Sequence, residues 1–129
     1  MISGYCQNGY SKKALEVFKV MRGCGVEANQ FTYGSVLKAC TSMMSLEIGR
    51  EIHGCVVKSR VSGDLFVQSA LVDLHSKCGK MEDARYVFEQ MERRDVVCWN
   101  AVIGGYAVQG HSEESFSMFR MMMREGMMI

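Results

Sequence analysis

The stretches ALEVFKVM (14–21), DARYVFEQM (83–91) and ESFSMFRMM (114–122) carry one pattern three times. A small residue (Ala14, Ala84 or Ser115) precedes Phe18, Phe88 or Phe119 by four positions, and Met21, Met91 or Met122 follows three later. Each copy lies just downstream of a turn glycine: Gly9, Gly79 or Gly110. The second and third copies are 31 residues apart, and the first and second 70. Self-similarity at such a period is the mark of stacked repeats. An array offers one surface shared by many units rather than a single pocket, and function has to be sought on that surface.

Between glycine breaks the chain is free of proline, so whole segments can be helical. Tyr33, Val36, Leu37 and Cys40 follow i, i+3, i+4, i+7, which predicts a helix over 32–43. Ile48, Ile52, Cys55 and Val56 predict one over 46–59, and Ala70, Leu71 and Leu74 one over 66–78, closed by Gly79 as C-cap. Helices are expected over 81–91, with Glu82 and Asp83 at its positive end, and over 97–108. The last, over 112–125, has Ser112 as the expected N-cap. Short helices joined by tight turns make stacked hairpins, so the expected fold class is an all-α solenoid. Aligning the copies divides the chain into 1–29, 30–64, 65–95 and 96–129. MISGYCQNG (1–9) superposes on VIGGYAVQG (102–110), which places the opening Met inside a first helix. The unequal lengths, 35 for the second unit and 31 for the third, argue against a simple tetratricopeptide array of 34-residue units. The Phe/Met register is expected to be core.

Bulk properties exclude more than they select. A chain of 129 residues with 48% hydrophobic content can build a core. Fifteen Lys+Arg against fourteen Asp+Glu leave a net charge of +1, so any nucleic-acid binding rests on local geometry. The apolar stretch AVIGGYAV (101–108) is far too short to span a bilayer, and neither a signal peptide nor a transit segment opens the sequence. Cys6, Cys24, Cys40, Cys55, Cys78 and Cys98 form no CxxC pair and are expected to be buried free thiols. His75 and Cys78 could reach one metal, but no second pair completes a tetrahedral set. No metal and no cofactor are expected, and no nucleophile, base and orienter stand together as an enzyme would need.

Three stretches resemble the pentatricopeptide repeat family. VVCWNAVIGGYAVQGHSEESFSMFRMMMREG (96–126) is similar to its standard unit. SALVDLHSKCGKMEDARYVFEQMERRDVVCWN (69–100) is similar to its short unit running into the next, and FTYGSVLKACTSMMSLEIGREIHGCVVKS (31–59) to its long unit. On this resemblance 1–29 is a partial standard unit, 30–64 a long unit, 65–95 a short unit and 96–129 a standard unit truncated at its C-terminal end. That order resembles the plant organellar PLS subclass. The resemblance implies a right-handed superhelix that binds single-stranded RNA, about one base per repeat. It also implies organellar RNA processing or modification such as C-to-U editing, in mitochondrion or chloroplast, with protein partners of an RNA-processing complex and no membrane. The deaminase signature, His-x-Glu with Pro-Cys-x-x-Cys, is missing from these residues, so any chemistry would be supplied from elsewhere. The alternative readings are a protein-binding helical scaffold and a non-functional gene fragment.

In the family the fifth and last residues of a unit meet the base edge, and the second stacks on base faces. Carried onto this chain, Ser69 and Asp95 form the reading pair of the short unit, a combination that resembles the one favouring guanine. A carboxylate can accept the N1 and N2 protons of that base. The last unit offers Asn100, the first unit Asn29, and the long unit Gly34 and Asp64, of which Gly34 has no side chain to reach a base. The stacking positions are Phe31, Phe66 and Val97. The chain departs from the family at Ala28 and Glu92, where Pro is common, and at His75, where Tyr is usual and is kept at Tyr5 and Tyr106. Asp95 is also a candidate N-cap, and Ser69 could bond back to a carbonyl one turn earlier. Lys77 is a candidate phosphate contact, and Arg93 and Arg94 are expected to be solvated loop charge.

Overall fold

The structure is a computed structural model describing residues 10–126, which form seven helices and no strand. They are α1 (Tyr10–Gly23), α2 (Gln30–Ser42), α3 (Leu46–Val57), α4 (Leu65–Lys77), α5 (Met81–Gln90), α6 (Val96–Val108) and α7 (Ser112–Arg124). The opening segment 1–9, with Tyr5, Cys6 and Gly9, lies outside the described residues. The expected all-α class holds, and the expected helix spans agree to within two residues at each end.

The helices stack in two layers. α2, α4 and α6 lie side by side, while α3, α5 and α7 each back the helix that precedes them. α1 packs on α2, and the layers are stitched by α3 against α4 and α5 against α6. Sequence character follows position. α4, flanked by α2, α5 and α6, buries Val67, Ala70, Leu71, Val72 and Leu74, apolar positions that run almost round the helix. α5 buries one stripe, Met81, Ala84, Val87 and Phe88, and turns Glu82, Tyr86 and Glu89 outward.

Turn chemistry fixes the hairpins. Gly79 and Gly110 take φ of +80° and +81°, and the next amides, Lys80 N and His111 N, reach back to His75 O and Tyr106 O at 2.8 Å each. These are Schellman closures, in which a left-handed residue lets the chain reverse while satisfying the last carbonyls. The turn after α2 makes the same closure, Ser45 N to Cys40 O at 2.9 Å, with Met44 at φ +53°. Ser112 is not the cap of α7. The closure is so tight that His111, bonded back to α6, already accepts the first helical bond from Ser115 N at 3.0 Å, and it caps without a side-chain bond.

The Phe/Met register is mostly core. Phe18, Phe88, Met91 and Met122 are buried, and Phe88 meets Trp99 of α6 edge-on at 4.8 Å between centroids. Phe119, expected to be core, is 37% exposed, because no helix among the described residues covers that face of α7 as α6 covers α5. Among the thiols, Cys40 and Cys98 are buried as expected, but Cys24 at the end of α1 is exposed. No helix among the described residues is long and apolar enough to cross a membrane.

Candidate functional site

Three helices of the first layer start on the residues singled out as unit ends. Asn29 caps α2, its side chain accepting from Thr32 N at 2.9 Å and Thr32 Oγ1 at 3.1 Å. Asp64 caps α4 by accepting from Val67 N at 3.1 Å, and Asp95 caps α6 by accepting from Cys98 N at 3.0 Å. Each of these side chains therefore belongs mechanically to the helix that follows it, a role legible in the sequence only for Asp95.

Ser69 and Asp95 are brought together across the junction of two hairpins. Ser69, buried in the middle of α4, donates from Oγ to Asp95 Oδ1 at 2.9 Å instead of bonding back along its own helix. That oxygen also receives the Cys98 amide, so both of its lone pairs are committed. Asp95 Oδ2 accepts no hydrogen bond among the described residues. The carboxylate is thus held rigidly by one oxygen and presents the other. Below it the Cys98 thiol donates to the Asp95 carbonyl at 3.2 Å, and burial, with the Asp95 charge adding, pushes its pKa up to about 12. It stays protonated and is inert as a nucleophile.

The remaining positions fall on the same layer in different settings. Asn100 and Val97 are exposed on α6 and line a groove of 640 Å³ between α4 and α6, with Met44, Asp73 and Lys77 at its other wall. Lys77 is not an idle charge: its Nζ lies 3.4 Å from Asp73 Oδ1. Ser76 Oγ, also on this groove, is buried without a partner. Phe31 is exposed, whereas Phe66 is partly buried, 6.4 Å from Phe31 between centroids and lying over Gly34. Gly34 is therefore covered by an aromatic ring, and of the expected pair Gly34 and Asp64 only Asp64 offers a side chain.

Arg94 overturns the expectation of loop charge. Its Nε donates to Phe88 O at 3.0 Å, and its guanidinium lies 4.3 Å from the Phe88 ring centroid and 5.8 Å from that of Trp99. It clamps the α5–α6 junction, a role with no local signature because both partners are distant in sequence or main-chain. Arg93 is exposed beside Asp64, Gln68 and Glu92 in a polar cleft of 490 Å³. His75 pairs with His53, not with Cys78: Nδ1 of His53 and Nε2 of His75 are 3.1 Å apart. No group of three or more metal-ligating side chains exists among the described residues.

Comparison with known proteins agrees with this architecture. A model of the PPR repeat family matches residues 1–42, and a PPR repeat model matches 69–96 and 97–127. Pentatricopeptide repeat-containing protein At3g20730 of Arabidopsis thaliana is 49% identical over 126 residues, covering 98% of this chain and 22% of that protein. At3g09040 of the same plant, a pentatricopeptide repeat-containing protein named as mitochondrial, is 42% identical over 122 residues, 95% of this chain and 12% of that one. The chain thus spans only a small part of these curated relatives. The crystal structure of the pentatricopeptide repeat protein PPR10 in complex with an 18-nt psaJ RNA element superposes with a TM-score of 0.81. It is 22% identical, over 99% of this chain and 20% of that one, a likeness of fold. From repeat models, relatives and helical stacking together, the chain belongs to the pentatricopeptide repeat family.

Proposed function

We propose that this chain is a segment of an RNA-reading array of the PLS type, divided at 29/30, 64/65 and 95/96, in which the short unit reads guanine through Asp95. The observation that carries the reading is the Ser69–Asp95 bond at 2.9 Å. It converts a helix cap into a fixed acceptor whose free oxygen can take the N1–H or N2–H of guanine, and which repels bases that present acceptors there. Ser69 acts through Asp95 as its positioning residue. Asn100 reads the next base from the groove between α4 and α6, with Phe66 and Val97 stacking on either side of the guanine. Asn29 and Asp64 hold the equivalent places of the first two units. RNA-bound PPR10 and relatives named as mitochondrial support a role in organellar RNA processing, with chemistry such as base modification supplied by other parts of a longer protein or by partners.

Three or so stacked bases, each worth roughly 1–3 kcal/mol, make binding by this segment weak, so the test reads preference rather than tightness. The chain is titrated with short single-stranded RNAs that differ at one base. Asp95→Asn is the informative variant, because Asn caps a helix as well as Asp does and can keep the Ser69 bond while removing the charge. The expected result is a roughly ten-fold guanine preference in the parent chain, lost in Asp95→Asn at unchanged thermal stability. Equal affinity for every RNA, abolished by modest salt, would sink the reading.

A further inference from the structure

We infer that Lys38 of α2 is a positioning residue for base stacking in the following unit, acting through the Phe66 ring rather than on RNA itself. This role rests on the RNA reading above and deepens it, because Phe66 is the ring beside the guanine that Asp95 reads. Phe66 stands in the first turn of α4 and is only partly buried. Left alone, such a side chain would exchange among its rotamers. α2 holds it at three points. Phe31, Gly34 and Lys38 stand at i, i+3 and i+7, one stripe of that helix. Gly34 bares the backbone in the middle, and the edge of the Phe66 ring settles there: a Cβ on residue 34 would overlap it, with Cζ only 2.7 Å away. Phe31 lies 6.4 Å from it between centroids, inclined at 46°. Lys38 Nζ stands 4.8 Å from the ring centroid.

Lys38 is the charged member of this cradle, and no carboxylate pairs with it among the described residues, whereas Lys77 is held 3.4 Å from Asp73. All three supports come from α2, which leaves the side of the ring toward Val97 and α6 for the base. Two effects of the charge reach that side. It fixes the ring before a base arrives, so that stacking has little left to order. It also draws on the π-cloud from behind, lessening the repulsion between the face of the ring and the face of the base. Both effects need an aromatic ring and a base. A lysine bound to a phosphate needs neither, and that difference separates the two roles.

The 129-residue chain is titrated with a short single-stranded RNA carrying one guanine, and with the same RNA made abasic at that nucleotide. Lys38→Met keeps the unbranched stem and removes the charge. It is expected to weaken binding of the guanine RNA roughly three- to five-fold and to leave the abasic RNA unchanged, at an unchanged salt slope. Lys38→Arg should bind as the parent does, since a guanidinium also lies over a ring. In a Phe66→Leu background, Lys38→Met should change nothing. Equal losses on both RNAs, with the salt slope reduced by about one, would mark Lys38 as a phosphate contact and overturn the inference. The Asp95 reading fails separately, because stacking tolerates any base. A Lys38 effect in a chain without guanine preference refutes the choice of guanine alone. A chain that prefers guanine but is indifferent to Lys38→Met overturns the inference and spares the reading, and a chain that binds neither RNA overturns both. In free protein, the Lys38 Hε resonances should be displaced by the ring and return on Phe66→Leu. Undisplaced resonances overturn the inference whatever RNA does.

Discussion

Single residues carry the departures from a regular array. Met44 occupies the turn position that Gly79 and Gly110 hold elsewhere, at φ +53°, a conformation that costs a residue with a Cβ about 1–2 kcal/mol. Met44→Gly is expected to stabilise the chain by about 1 kcal/mol after the added freedom of the unfolded state is subtracted, measured by urea unfolding. Arg94 is a second such residue. Arg94→Ala removes the bond to the Phe88 carbonyl and the stack on its ring, and is expected to cost about 1–2 kcal/mol. Arg94→Lys should recover little, since an ammonium lacks the planar face that lies on Phe88. Neither residue could be read from the sequence. Nothing local distinguishes a left-handed Met from any other, and a cation's partner across a junction is set by tertiary packing.

At the level of elements, α3 and α4 meet through His53 and His75. His75 Nδ1 is buried with no partner, so the tautomer that buries no unpaired donor puts the proton on Nε2, which donates to His53 Nδ1. Burial lowers the pKa of both rings, and the neighbouring His53 and Arg50 lower His75 further, to about 4, against the opposing pull of Asp83. A histidine held below its unfolded value of about 6.5 binds protons more weakly when folded. Its contribution to stability is therefore whole above about pH 6.5 and is lost as pH falls toward 4. For His75, about 2 kcal/mol should disappear between pH 7.5 and 5. His75→Tyr, the residue that stands at the matching place in α6 as Tyr106, should flatten that dependence in urea midpoints taken across the range. An equal acid loss in the variant would show that His75 is not the cause. Helices were the legible part of the fold: their stripes and glycine stops place α2 to α7 within two residues, although α1 had no expected span. The His–His contact was not, because His75 shows in sequence only as a departure from Tyr, and its partner lies 22 residues away on another helix.

At the largest scale, the last described helix carries an uncovered apolar stripe. On α7, Phe116, Phe119 and Met123 are exposed at i, i+3 and i+7, although Phe88, the equivalent of Phe119, is sealed beneath Trp99. The 129-residue chain is expected to self-associate as concentration rises, and Phe119→Glu to shift sedimentation toward monomer. A monodisperse parent chain at high concentration would refute this. The candidate site was legible in part, through the unit register that singled out Ser69 and Asp95. Their mutual bond was not, since it crosses from one hairpin to the next. The caps at Asn29, Asp64 and Asp95 have a last consequence, which concerns what can change. Each side chain there starts a helix of the first layer, and only Asn, Asp, Ser, Thr and to a lesser degree Gly do this well. Substitution at these places is filtered by helix stability before any ligand is met. If a chain of this architecture diversifies its recognition, the vocabulary open to it at unit ends is a handful of small polar residues, chosen by the backbone.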